Sequence, residues 1–233
     1  IDANLEHQVE LRVDETVRGV DDEEGAPVWA TGLGVVLGYA SAAGGDLFAA
    51  ADMGSDGGDA DPAYSLTSAD GEPLEDGAVS GLIETATGDS VILDVISATE
   101  VHGVNSDGDV VFVLKVNAAT GELELAQYSA VQHNDSSDHD EAEDSSEFLN
   151  TGVVFVTATV TDGDGDSAHA SVDLRDVMAF EDDGPVLTSI QSISVGNEAG
   201  ATSGDIVGLD FGSDGEGDFA ITSWPDLEGV THT

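Results

Sequence analysis

The sequence predicts an all-β protein, most simply a β-sandwich, and three observations support this fold class. Short segments that are β-branched or that alternate apolar and polar residues recur along the chain, separated by turns of Gly, Asp and Asn. Sustained helical periodicity is hard to find. Hydrophobic residues make up 40% of the 233 positions, which is enough to build a buried core.

Six segments have the strongest strand character, and we take them in chain order. They are 9–13, 90–96, 110–117, 122–128, 153–161 and 168–174. The clearest of them form a hairpin, in which VVFVLKV at 110–116 is followed by the turn NAATG and then by the alternating ELEL. Residues 47–53 predict one helical turn or a short helix, and the polar stretch 133–147 predicts an exposed acidic loop.

Charge is the most unusual feature of the composition. Asp and Glu number 49 against 4 Lys and Arg, so the formal net charge is -45. Repulsion of this size destabilises a compact chain unless cations bind to it, although an acidic surface adapted to a saline habitat is an alternative. Nucleic acid and anionic membrane surfaces are poor partners for so negative a chain, and we expect neither. No apolar run approaches the roughly 20 residues of a membrane span.

The absence of cysteine excludes disulfides, so a metal ion is the expected cross-link. The first candidate site is the Asp-Gly loop, which consists of Asp162, Asp164 and Asp166 separated by single glycines. Calcium takes 6–8 oxygen ligands at about 2.3–2.6 Å, and glycine lets alternate carboxylates converge. Magnesium prefers to keep its water, and zinc would require His or Cys. An EF-hand is rejected because Ser167 occupies the sixth position of the loop, where glycine is required.

A second acidic cluster follows the next strand. This linker cluster consists of Glu181, Asp182 and Asp183. If residues 168–180 form one extended strand, they span about 40 Å and place the linker cluster and the Asp-Gly loop at opposite ends of the domain. The Asp-Gly loop is then expected to lie near Asp14 and Glu15.

Further acidic residues complete the predicted metal ligands. Asp56 and Asp59 lie in a glycine-rich stretch whose pattern returns near Asp214, while Asp107 and Asp109 fit a simple hairpin turn. A cation at the linker cluster is expected to be shared with Glu198 or Asp214 of the following unit. Ca²⁺ is the expected ion at all of these acidic sites except the turn at Asp107 and Asp109.

The repeated GSDG pattern at 54–57 and 212–215 indicates two units. We expect a calcium-binding sandwich at 1–185 and the start of a second β unit, or the first half of a split domain, at 186–233. About 48 residues are too few for an independent sandwich. We therefore expect the sequence to be a segment of a longer chain.

The motifs VTATVTDGDGD at 156–166 and FEDDGP at 180–185 resemble the tandem repeats of giant RTX adhesins, which Gram-negative bacteria export by type I secretion. GELELAQYSAVQH at 121–133 resembles the middle of one acidic repeat type. The resemblance implies an Ig-like or cadherin-like extender domain, stiffened by calcium within itself and at its junctions, on the bacterial surface. It implies neighbouring repeats as partners, attachment and biofilm formation as the role, and a monomeric chain. The long Gly- and Ala-rich segment 30–51 departs from a plain extender.

Two other functions remain open from the residues alone. A calcium-dependent module for host or biofilm glycans or peptides would use Trp29, Tyr39, Tyr64, Tyr128 and Trp224 as aromatic platforms. An enzyme is not expected, because carboxylates in polar Asp-Gly loops keep low pKa values and no G-x-S-x-G motif occurs.

Overall fold

The computed structural model describes residues 3, 9–15, 26–50, 58–133, 147, 149–181, 186–190 and 207–210, with only the backbone at 58–60, 186–190 and 207–210. The regular secondary structure of this part is almost entirely β, with one short α-helix and three 3-10 helices, which confirms the predicted all-β class. Its thirteen strands are β1 (Leu11–Asp14), β2 (Gly38–Ala42), β3 (Gly58–Thr67), β4 (Val79–Ile83), β5 (Ser90–Ser97), β6 (Glu100–Val104), β7 (Val110–Val116), β8 (Leu123–Gln127), β9 (Phe155–Asp162), β10 (Ser167–Asp173), β11 (Met178–Glu181), β12 (Val186–Ile190) and β13 (Val207–Asp210).

A six-stranded antiparallel sheet has the strand order β2-β8-β7-β6-β5-β4. Its centre is the hairpin predicted from the sequence, in which Val116 pairs with Leu123 and Phe112 with Gln127. The connecting turn forms because the side-chain oxygen of Asn117 accepts hydrogen bonds from the backbone N–H groups of Ala119 and Thr120. The predicted hairpin is therefore confirmed, together with its turn chemistry.

A three-stranded sheet, with the order β10-β9-β3, covers one face of the larger sheet. Both sheets contribute to one hydrophobic core, which includes Leu66 and Val156 from the smaller sheet and Phe112 and Leu125 from the larger one. Along β3, the backbone N–H of Leu66 donates to the carbonyl of Ala98 at 2.7 Å, so β3 is also bonded to the turn between β5 and β6 of the larger sheet. The result is a sandwich-like arrangement of the kind predicted.

The segment before β2 covers part of the other face of the six-stranded sheet. It contains the short helix α1 (Val28–Thr31), and its buried residues Ala30 and Val36 pack against Ala126 of β8. The phenol of Tyr128 donates a hydrogen bond to the carbonyl of Ala30 at 2.9 Å. The Gly- and Ala-rich segment thus supplies a cover and an edge strand for the sheet. The helical turn predicted at 47–53 lies earlier, as a 3-10 helix at Gly44–Leu47, and residues 51–53 lie outside the described residues.

The expectation of one extended strand from 168 to 180 is wrong. β10 ends at Asp173, whose side chain accepts hydrogen bonds from the backbone of Arg175 at 3.0 Å and of Gly152 at 2.7 Å. A 3-10 helix, Leu174–Asp176, then turns the chain into β11, which pairs with β1 instead of continuing the three-stranded sheet. Local alternation could not reveal this change of sheet, because both halves have strand character.

The ladder between β1 and β11 is parallel, and it is short. Leu11, Val13, Met178 and Phe180 point from it into the common core, where the rings of Phe180 and Phe112 lie 5.6 Å apart. The parallel register pairs Asp14 with Glu181. Further along the chain, β12 and β13 form an antiparallel pair, and the second unit expected after residue 185 stays a prediction.

Candidate metal centre

The Asp-Gly loop closes the hairpin between β9 and β10. Thr161 and Ser167 are the last paired residues, and their hydroxyl oxygens lie 2.8 Å apart. Inside the loop the backbone N–H of Asp162 donates to the carbonyl of Asp166 at 2.9 Å. Gly165 has a φ of 101°, a conformation that side-chain-bearing residues rarely adopt. The glycine is therefore needed for the tight return of the chain.

Asp162 organises the loop from within. Its Oδ1 atom accepts hydrogen bonds from the backbone N–H groups of Asp166 at 2.9 Å, Gly165 at 3.1 Å and Asp164 at 3.3 Å. A hydrogen bond with the Asp164 side chain, together with these backbone donors, holds the pKa of Asp162 below its ordinary value. Asp162 is thus ionised at neutral pH and fixed in position.

The three aspartates converge. One carboxylate oxygen from each of Asp162, Asp164 and Asp166 lies within 4.8 Å of the others. Two oxygens that bind the same calcium ion lie at most about 5 Å apart, because each bond is about 2.4 Å long. Asp162 is half-buried and the other two side chains are exposed, which leaves room for water ligands. The loop can therefore hold a metal ion.

The second glycine-rich acidic stretch reaches the same region through β3. In the β3–β9 register Gly58 lies opposite Asp162, and Asp59 lies opposite Thr161. Sequence reasoning treated Asp59 and the Asp-Gly loop as separate sites, because roughly a hundred residues separate them. Asp56 lies outside the described residues.

Asp14 and Glu15 were expected near the Asp-Gly loop, and neither belongs to the cluster of three aspartates. Asp14 is exposed and lies beside Glu181, which is held by Arg12 through an ion pair of 2.7 Å. This follows from the broken strand, since β11 runs alongside β1. Asp182, Asp183, Glu198 and Asp214 lie outside the described residues.

Glu15 faces the protein interior and is fully buried. Its carboxylate accepts hydrogen bonds from the backbone N–H of Val131 at 2.8 Å and from the side-chain amide of Gln127, and the ring of His133 lies 3.8 Å away. Burial raises the pKa of Glu15, although these neighbours act in the opposite direction. The strand alternation Leu11, Val13, Glu15 is a sequence pattern that indicates this inward position.

Sequence reasoning did not identify a charged cluster on the outer face of the six-stranded sheet. Lys115 forms an ion pair with Glu100 at 2.9 Å, and its ammonium lies 4.6 Å from the centre of the Trp29 ring. Trp29 and Tyr39 both donate hydrogen bonds to Glu124, at 3.2 and 2.7 Å. Two of the aromatic residues considered as platforms are therefore already bonded within the chain.

Asp107 and Asp109 are exposed and occupy the turn between β6 and β7, as predicted. Their backbone N–H groups donate to the side chain of Asn105 at 3.0 and 2.9 Å, and Gly108 has a φ of 86°. This turn resembles the Asp-Gly loop in sequence, but only the Asp-Gly loop brings three carboxylates together among the described residues.

Residues 10–175 match the model of a family described as a domain of unknown function, DUF5801. The chain belongs to the DUF5801 family. The DUF5801 match begins just before β1 and ends in the 3-10 helix after β10, so it includes the Asp-Gly loop and excludes Glu181. No curated protein and no solved structure matches the chain. Among the described residues, no helix is long and apolar enough to cross a membrane.

Proposed function

We propose that this DUF5801 chain is a non-catalytic, calcium-dependent structural segment of a secreted bacterial surface adhesin. The observation that carries the proposal is the convergence of three carboxylates in the Asp-Gly loop, within 4.8 Å of one another. Oxygen ligands without nitrogen or sulfur are the chemistry that calcium prefers. The net charge of -45 adds to the affinity for any divalent cation.

The mechanism is electrostatic. Without a cation, the three carboxylates at the tip of the β9–β10 hairpin repel one another, and the self-repulsion of the whole chain opposes a compact state. A bound calcium ion removes both effects locally and fixes the hairpin tip. Binding to the folded state alone stabilises it by about 2.7 kcal/mol per site when free calcium is a hundredfold above the dissociation constant.

The cellular setting of the proposal rests on the resemblance to RTX adhesin repeats. In that setting the partners are neighbouring repeats of the same chain, which calcium at the linker cluster holds at a fixed angle. The array projects ligand-binding regions that serve attachment and biofilm formation outside the cell. The short parallel ladder that places Asp14 beside Glu181 adds a second acidic residue where the chain leaves the first unit.

A calcium-dependent module for glycans or peptides is the alternative. It has less support, because the polar atoms of Trp29 and Tyr39 are engaged by Glu124 and leave fewer groups for a ligand. A glycan and peptide array, read with calcium and with chelator, distinguishes the two functions. Calcium-dependent binding would favour the alternative.

Thermal melting of the full chain tests the proposal. We expect millimolar calcium to raise the melting temperature well above the value in chelator, with magnesium substituting poorly. The double variant D164A/D166A should lose most of the gain, because it leaves one carboxylate of the three.

The matched control is D107A/D109A. It removes the same number of charges from another exposed Asp-Gly-Asp turn, so both variants relieve the overall repulsion equally. Its calcium-dependent gain should equal that of the unmodified chain. Equal gains in the two double variants, or no gain in the unmodified chain, would overturn the proposal.

A further inference from the structure

β1 is the first strand of the described chain, and β11 is the last strand before residue 182. The two strands lie side by side and run in the same direction. Their register pairs Leu11 with Met178 at one end and Asp14 with Glu181 at the other. Backbone bonds close both ends of the ladder, from Leu11 N–H to the carbonyl of Val177 at 2.8 Å and from Glu15 N–H to the carbonyl of Glu181 at 3.2 Å.

The parallel direction decides how this ladder carries tension. The preceding chain is attached at Leu11 and the following chain at Glu181, and these two residues lie at opposite ends of the ladder, about 10 Å apart along the strands. Tension along the chain therefore slides β1 and β11 past each other. The inter-strand hydrogen bonds run across the direction of pull and are loaded together, whereas peeling from one end would load them one after another.

Side chains oppose the same sliding motion. Arg12 of β1 holds Glu181 of β11 through the 2.7 Å ion pair. Leu11 and Val13 must leave the core when β1 moves. The buried Glu15 would be drawn away from Val131 and Gln127, which leaves buried polar groups without their partners.

We infer that the β1–β11 ladder is a mechanical clamp that resists tension transmitted along the chain. The clamp goes beyond the calcium-dependent function and does not require the Asp-Gly loop. The isolated bridge between Ala3 and Phe48 lies before β1 in the chain, so tension applied at the first residue reaches this bridge before it reaches the ladder.

Force spectroscopy with two pulling geometries tests the clamp. In the first, the full chain is held by handles at its two termini, which loads β1 and β11 in shear. In the second, handles are attached through cysteines in E10C/D176C, which lie at the same end of the ladder and peel it open. The natural chain contains no cysteine, so the attachment points are unique, and both original side chains are exposed.

Opening of the ladder releases the chain between β1 and β11, which adds about 600 Å of contour length. We expect this event to need several times more force when the chain is pulled from its termini than when it is pulled from the two cysteines. R12Q, pulled from the termini, should lower that force while leaving the peeling force of R12Q/E10C/D176C close to that of E10C/D176C. Similar forces in both geometries, or opening of the ladder at low force under terminal load, would overturn the inference.

Calcium and chelator arms separate this inference from the proposed function. The difference in opening force between the two geometries is measured first with calcium present. It should persist in chelator as long as the chain remains folded. If the geometries differ but calcium changes neither melting nor force, the clamp stands and the calcium site fails. If calcium stabilises the chain but the geometries are equal, the clamp alone fails.

Discussion

Glu84 is a buried carboxylate whose charge is stabilised by three side-chain donors. It accepts hydrogen bonds from Thr87 at 2.6 Å, Ser129 at 2.7 Å and Asn105 at 2.9 Å. Burial opposes its ionisation, but these hydrogen bonds outweigh it and lower the pKa of Glu84 below its ordinary value of 4.5. We predict that E84Q lowers the free energy of unfolding at neutral pH by about 1–3 kcal/mol. The amide N–H₂ group of the glutamine would replace a carboxylate oxygen and would face side chains that themselves donate.

The pH dependence of that loss follows from the direction of the pKa shift. A lowered folded-state pKa means that the ionised form contributes stability above pH 4.5, and that this stability is lost as the pH falls through the folded-state value. Urea unfolding of wild type and E84Q should therefore converge in acid. Glu15 is the opposite case, because burial raises its pKa. The wild-type chain should therefore become more stable relative to E15Q as the pH falls. If the difference in unfolding free energy between the wild type and each variant did not change with pH, the argument would be contradicted.

The sequence indicates that Glu84 and Glu15 point inward, and it does not reveal their partners. Glu84 continues the inward side of β4 after Ser80 and Leu82, as Glu15 does after Leu11 and Val13. Two of the three donors to Glu84 are 21 residues away at Asn105 and 45 residues away at Ser129. Whether a buried acidic residue has hydrogen-bond donors depends on such distant contacts. In an acid-rich sequence, the few carboxylates that are buried and hydrogen-bonded therefore cannot be told from the many that are solvated.

Within β6, Gly103 leaves space for an aromatic ring from the neighbouring strand. A Cβ atom at Gly103 would lie 2.1 Å from the ring of Phe112, its partner in the β6–β7 register. We predict that G103A destabilises the protein by about 1–3 kcal/mol, because the ring must move within a packed core. G34A is the control, since its Cβ would make an ordinary 3.6 Å contact with Tyr128. Urea unfolding should show a large loss for G103A only, and equal losses would contradict the packing argument.

Strand positions were predicted well wherever one strand matched one run of alternating residues. β5, β7, β8 and β9 all lie within two residues of the segments chosen from the sequence. The failure at 168–180 has a local cause, because the side chain of Asp173 caps the turn at Leu174–Asp176 and the chain then joins another sheet. Which sheet a strand joins depends on pairing with β1, at the other end of the sequence, and strand propensity carries no information about it.

Across the whole molecule, the local part of the metal site was predictable and the long-range part was not. Asp162, Asp164 and Asp166 lie within five consecutive residues, so the turn alone brings their carboxylates together. The approach of Asp59 to this loop depends on the β3–β9 pairing. Asp14 and Glu15 were predicted at the end opposite Glu181, because 168–180 was expected to form one strand, whereas the β1–β11 register places Asp14 beside Glu181.

The net charge of the chain predicts a strong and separable response to salt. Three of the four cationic residues lie in the described part of the chain: Arg12 and Lys115 form ion pairs there, and Arg175 donates to the carbonyl of Leu149. Few cations therefore remain to offset 49 acids. The Debye length falls from about 10 Å at 0.1 M to about 3 Å at 1 M ionic strength, so sodium chloride in chelator should raise the melting temperature steadily.

The variants D164A/D166A and D107A/D109A should show the same dependence of melting temperature on sodium chloride, because each removes two exposed charges. Calcium at constant ionic strength should then separate them, with a further rise in D107A/D109A only. A calcium effect that sodium chloride reproduces at equal ionic strength would mean screening without a site.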